Sequence, residues 1–250
     1  MLIYGINPVL EALRAGRVRR LRAAPRADRR VEEAITLARQ RGVTVERVDG
    51  AALDRATRGG VHQGIAAEVD APRDYAIAEL IAAAAPDAPL LVVLDGIEDP
   101  HNVGAILRTC DAAGVHGVIR QARHAAALGG AAAKASAGAL SHVRLATEVN
   151  IARAIEELKD QGVWTIGLAG DASDRYDQLD LTLPTAFVFG AEGSGLRRLV
   201  RERCDRLVSI PMSGSVESLN VSVAAGVTLF EAVRQRRRAR PRGQPDRSAG

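Results

Sequence analysis

Aromatic side chains make up only 3% of this chain: one tryptophan, three tyrosines and three phenylalanines in 250 residues. So small a supply excludes a nucleic-acid surface built mainly on base stacking. Cysteine is scarcer still. Cys110 and Cys204 stand alone, with no CxxC pair and no histidine at metal-ligand spacing, so neither a disulfide framework nor a metal site is expected. Lysine occurs twice, at Lys134 and Lys159, among 34 basic residues, an arginine excess that reads as composition bias rather than selection for phosphate forks. Long apolar runs are missing too. "AIAELIAAAA" and "LLVVL" are too short or too interrupted to span a bilayer. The opening "MLIYGINPVLEALRAG" has neither the charged start nor the apolar stretch of a signal peptide. Together these absences point to a cytoplasmic protein with no membrane partner.

What is present suffices for a sizeable core: 47% of residues are hydrophobic and 26% charged. The net charge of +4 hides an asymmetry. Residues 1–70 carry 13 arginines against nine acids, residues 71–233 carry 14 basic and 20 acidic side chains, and residues 234–250 carry seven arginines against Asp246. Basic ends around an acidic body suggest an anionic polymer as partner.

The pattern divides the chain into a small α/β unit at 1–70, a linker at 71–88 rich in alanine and proline, a second α/β unit at 89–235 and a basic tail at 236–250, expected to be disordered. In the first unit Asn7-Pro8 reads as a helix start, Asp28 opens a helix to Gly42, "GAALDRAT" is a short helix, and "VRRLRAA", "TVERV" and "QGIAAEV" are strands. The second unit begins with "LLVVLDG", a run suited to a strand buried on both faces. Helices at 100–114, 129–138 and 148–162 alternate with strands at 117–119, 142–146 and 163–169. "TAFVFG", "RLVSIPM" and a last helix at 218–234, capped by Ser218, complete it. Such alternation predicts a mostly parallel sheet covered on both sides.

Three segments fall just past strand ends, where a parallel sheet presents its ligand site. In "LDGIEDPHNVGAILRTCDAAG", Asp99 and Asn102 are suited to capping, whereas Arg108 sits in an apolar, small-residue helix and needs an ion-pair partner or a cleft. In "FVFGAEGSGLRRLV", a strand enters a glycine turn and then a helix; its order is neither a dinucleotide fingerprint nor a P-loop. Glu192, inside that turn, is either solvated or aimed at a ligand. In "SVESLNVSVAAG", Ser218, Asn220 and Ser222 thread polar groups through apolar neighbours and require bonding partners. The apolar start of that helix fits a subunit interface or ordinary core packing.

Taken in order, "DPHNVGAILRTCDAAG", "FVFGAEGSGL" and "IPMSGSVESLNVSVAAG" resemble the three motifs of the SpoU class of RNA ribose 2′-O-methyltransferases, and "KASAGAL" (134–140) fits as well. "YGINPVLEAL" and "GVHQGIAAEV" look like that class's RNA-binding domain, related to ribosomal protein L30e. Cys110, where alanine is commoner, and Ala191, where a polar residue is frequent, depart from the pattern. The resemblance implies a trefoil-knotted C-terminal domain that binds S-adenosylmethionine, a homodimer with the active site at its interface, and RNA as substrate. Within the class it leans toward the bacterial enzymes that methylate a guanosine of 23S rRNA. A tRNA ribose methyltransferase, or a non-catalytic RNA-binding protein, is the alternative.

The resemblance also implies roles. Arg108 would be the central catalytic residue, with Asn102, Glu192, Ser218 and Asn220 beside it, while Gly190, Ile210, Met212 and Leu219 would bind the cofactor. A guanidinium is rarely a base, so Arg108 fits better as a phosphate anchor that stabilises a developing alkoxide.

Overall fold

The structure is a computed structural model that describes residues 1–25 and 28–239. The expected tail falls mainly at 240–250, outside the described residues. The chain forms two compact units. The first comprises Met1–Pro72, Asp99–Arg108 and Ala126–His142; the second comprises Arg73–Glu98, Thr109–Ala125 and the chain from Val143 onward.

In chain order the first stretch contains β1 (Leu2–Tyr4), α1 (Ile6–Arg14), β2 (Val18–Ala23), α2 (Arg29–Gln40), β3 (Thr44–Arg47), α3 (Gly50–Thr57) and β4 (Ile65–Val69). The strands form a sheet in the order β1-β4-β2-β3, with β4 antiparallel to both neighbours and β2 parallel to β3. Apolar side chains at helical spacing on α1 and α2, including Val9, Leu13, Val31 and Ile35, are buried. Asp28 caps α2 by accepting hydrogen bonds from the N–H groups of Arg30 and Val31 at 2.9 and 3.0 Å. Asn7 does not cap α1. That helix begins at Ile6, two residues before the expected Pro8, after Gly5 at φ 93°, and the Asn7 amide oxygen instead accepts from the Arg30 guanidinium at 2.6 Å. A glycine that turns the chain with positive φ starts the helix where a side-chain cap was expected.

Beyond α4 (Ile77–Ala82) come β5 (Leu90–Asp95), α5 (Pro100–Ala112), β6 (Gly117–Gln121), α6 (Gly130–Ala135), β7 (Leu145–Glu148), α7 (Ile151–Asp160), β8 (Trp164–Leu168), β9 (Asp174–Arg175), β10 (Thr185–Gly190), α8 (Arg198–Arg203), β11 (Arg206–Ser209) and α9 (Val221–Ala239). Among the described residues the second unit's sheet runs β7-β6-β5-β10-β8-β11-β9, and each of its pairings is parallel. All six residues of β5 are buried, as its unbroken apolar run requires. One face presents Leu91, Val93, Ile119, Ala186 and Val188 to apolar residues of α4, α7 and α8. Alternate positions turn Phe187 and Phe189 to the other face, where α9 meets β10. The α/β architecture is therefore the one expected.

Several boundaries differ from the sequence reading: β7 begins at Leu145 rather than 142, α6 ends at Ala135 rather than 138, and two differences concern the last helix. The last helix starts at Val221 rather than 218, and it extends to Ala239, so residues 236–239 of the expected tail are helical. Arg236 is the reason for the second difference. Its guanidinium donates to the carbonyls of Ala88, Pro89, Leu181 and Leu183 at 2.6–2.9 Å, which pins the helix where the chain enters β5 and β10.

Candidate active site

Because the sheet is parallel, the loops after β8, β10 and β11 leave its same end. The loop after β10 is the most constrained. Ala191 and Gly195 exchange two backbone hydrogen bonds, at 3.1 and 2.8 Å, and Gly193 and Gly195 have φ of 78° and 65°. Residues 190–195 thus close into a tight hairpin whose returning arm lies directly on Gly190. A Cβ on Gly190 would stand 2.1 Å from the Gly195 carbonyl carbon and 2.3 Å from the Leu196 nitrogen, so only glycine fits.

An ion pair between a buried carboxylate and a half-exposed guanidinium fixes the far end of this loop. The Asp95 carboxylate, 1% exposed at the end of β5, accepts from the Arg197 backbone N–H at 2.9 Å and from its Nε at 2.6 Å. A backbone bond plus a guanidinium bond on one carboxylate satisfies a buried charge that would otherwise be strongly destabilising. Nothing in the linear sequence marks this pair, whose members are 102 residues apart.

Asn220, not Ser218, caps α9. Its amide oxygen accepts from the N–H and hydroxyl of Ser222 at 2.9 and 2.6 Å, while its amide nitrogen donates to Glu192 Oε1 at 2.6 Å. Ser218 lies on the exposed segment before the helix. One asparagine therefore bonds both the helix start and the carboxylate in the glycine loop, which supplies the partners that Asn220 and Ser222 required.

These loops enclose a cleft of about 430 Å³. Gly190, Ile210, Met212 and Leu219 line it, as do Glu192 and Ser218. Phe189, Val208 and Val221 add apolar wall, and backbone from 190–195 and 209–212 adds polar groups. That size and mixed lining suit a nucleoside-sized ligand such as S-adenosylmethionine. Cys204 does not offer a nucleophile nearby, since burial pushes its thiol up to about 12.

Asn102 and Arg108 belong to the first unit. Asp99 starts α5, its carboxylate accepting from the His101 N–H at 2.9 Å. Asn102 is buried on the first turn. Gly104 lets α6 approach: a Cβ there would lie 2.5 Å from Ala135 Cβ and 2.6 Å from the Ala132 carbonyl. Arg108, one turn further along, is exposed and makes no hydrogen bond or ion pair among the described residues. Of the two readings open for it, the internal ion pair is therefore absent among these residues.

Two family models match the chain. The SpoU rRNA methylase family covers residues 89–230, and a model for RNA 2′-O-ribose methyltransferase substrate binding covers residues 2–75. The chain is 46% identical over 241 residues to the 23S rRNA (guanosine-2′-O-)-methyltransferase RlmB of Photorhabdus laumondii, covering 94% of this chain and 98% of that protein. It is 45% identical over 242 residues to the RlmB of Escherichia coli K12, again covering 94% and 98%. Among solved structures, the SpoU methyltransferase AviRb of Streptomyces viridochromogenes, crystallised with the cofactor AdoMet, superposes with a TM-score of 0.81 at 27% identity, covering 96% of this chain and 91% of that one. With its motifs matched over more than half its length and these relatives similar almost end to end, the chain belongs to the SpoU rRNA methylase family.

Proposed function

We propose that this protein methylates the ribose 2′-hydroxyl of a guanosine in 23S rRNA. The observation that carries this reading is Arg108: an exposed guanidinium with no partner among the described residues, directly after the small and apolar run Val103–Leu107 of its helix. A cation left free in a family of RNA methyltransferases has a substrate phosphate and a developing alkoxide to serve.

S-adenosylmethionine, when bound, supplies an electrophilic methyl group. Gly190, Ile210, Met212 and Leu219 would hold it in the cleft of the second unit. The hairpin at 190–195 offers backbone donors and acceptors, and the apolar wall excludes water. Glu192 and Asn220 hold each other at 2.6 Å and so enter the reaction already oriented. Ser218 adds a hydroxyl at the cleft rim, and Asn102 fixes the first turn of α5. Arg108 anchors the phosphate next to the reacting ribose and stabilises the 2′-oxygen as it bonds to the methyl group and its proton passes to solvent water.

The working form is a homodimer in the cytoplasm. Supporting this, Val223 and Phe230 on α9 are 50% and 49% exposed, and Val216 and Leu219 before it are also exposed. A patch of that kind is expected to be covered by a second copy. Residues 1–70 act as the RNA-binding domain and 89–235 as the methyltransferase domain, whose last segment forms the knot; the expected linker 71–88 contains α4, whose Ile77 and Leu80 pack in the core of the second unit. No metal takes part.

Methyl transfer to an unmodified 23S rRNA fragment, with the product mapped by mass spectrometry, tests the assignment. A single 2′-O-methylguanosine is expected. Transfer to tRNA alone would overturn the rRNA assignment, and RNA binding without transfer would make the chain a binding protein. Sedimentation at micromolar concentration should give a dimer.

A further inference from the structure

We infer that Lys134 and Arg58 form a phosphate-binding track that leads the RNA strand toward Arg108. This rests on the RNA-methylating reading above, and it assigns a docking role to residues outside the proposed catalytic set.

All three cations belong to the first unit, and close contacts relate them there. The Tyr4 ring lies between two glycines. A Cβ on Gly60 would be 2.5 Å from its Cζ, and one on Gly130 would be 3.3 Å from its Cε1. The loop at 58–64 and the start of α6 therefore meet around one ring. Lys134, on α6, completes the junction by donating from Nζ to the Val61 carbonyl at 3.2 Å. That bond uses one of three ammonium donors. Val61 is 66% exposed, so the junction faces solvent.

The charge around the junction is unbalanced. Neither Lys134 nor Arg58 has an ion-pair partner among the described residues, whereas His62 lies 3.1 Å from the nearby Asp54 carboxylate. Arg58 is exposed and stands at φ 54°, a left-handed position that closes α3. On the other side of Lys134, Ala135 packs against Gly104 of α5, and Arg108 follows one helical turn later. Unpaired positive charges thus sit at successive points from the loop matched by the substrate-binding family model to the helix carrying Arg108. Spaced cations without acidic partners suit a polyanion backbone rather than a compact ligand.

The test is the salt dependence of RNA binding by the full-length protein, using the same 23S rRNA fragment, for Lys134→Gln and Arg58→Asn. Asparagine tolerates the left-handed backbone, so Arg58→Asn removes charge without unseating the helix end. Each variant should reduce the slope of log affinity against log salt by about 0.7–0.9, and the double variant by about twice that. KM for RNA should rise, with kcat and cofactor affinity unchanged, and Lys134→Arg should keep the wild-type slope. Unchanged slopes in both single variants would overturn the proposal, as would lowered melting of Lys134→Gln with RNA binding intact. Binding is read without turnover, so a protein that binds RNA through these residues yet transfers no methyl group would refute the proposed function and leave the track standing.

Discussion

Removing the Arg108 guanidinium breaks no ion pair among the described residues, and this separates catalysis from stability at a single position. Arg108→Ala should melt within a degree or two of wild type, yet lose about 10²–10³ in methyl transfer. Arg108→Lys should recover little of it, because an ammonium lacks the planar fork. Thermal melting and single-turnover transfer measured together check the prediction. Gly190→Ala should do the reverse. Its Cβ would meet backbone at 2.1 Å, so the hairpin must open, and calorimetry should find cofactor binding lost or severely weakened. That Arg108 must either pair or open to a cleft was legible in sequence, because a charge after a run of small apolar residues demands one or the other. Asp95 and Arg197 were not. Each has an ordinary linear context, and only the fold brings them together.

Among the elements, the alternation of strands and helices was readable from apolar periodicity, whereas the start of α9 was not. "SLNVSV" offers Ser218 and Asn220 as rival caps, and the linear sequence does not show Glu192, 28 residues away, which accepts from Asn220. Asn220→Ala should remove the cap and the link together, destabilising the protein by about 1–2 kcal/mol in chemical denaturation. Ser218→Ala should cost clearly less. Strands β1 and β9, of three and two residues, are too short for any period to register. The entry to β5 carries a pH dependence. The Leu90 N–H donates to Nδ1 of His116 at 2.9 Å, and burial, followed by the nearby Arg236, lowers the imidazole's affinity for a proton. A histidine whose folded pKa is depressed gives stability that is complete above its unfolded value, about 6.5, and that is lost as pH falls through the lower folded one. Denaturation midpoints should therefore drop between pH 7 and the acid side of that window. His116→Asn, which keeps an acceptor but cannot titrate, should flatten that part of the profile.

For the molecule as a whole, charge distribution sets what salt will do. Residues 1–70 carry the excess of arginine, and the residues lining the cleft all fall between 168 and 224. RNA affinity should fall steeply as salt rises, while cofactor affinity should hardly change, a contrast that filter binding and calorimetry can measure on one preparation. The order of strands has a further consequence, which concerns synthesis. β5 lies between β6 and β10, and β10 begins about 90 residues after β5 ends. At about 5–20 residues per second, the ribosome delivers that partner roughly 5–20 s later. Until then β5 presents an apolar strand edge in the nascent chain. A chain stalled or cleaved before residue 185 would keep that edge permanently and be a natural client for a holding chaperone.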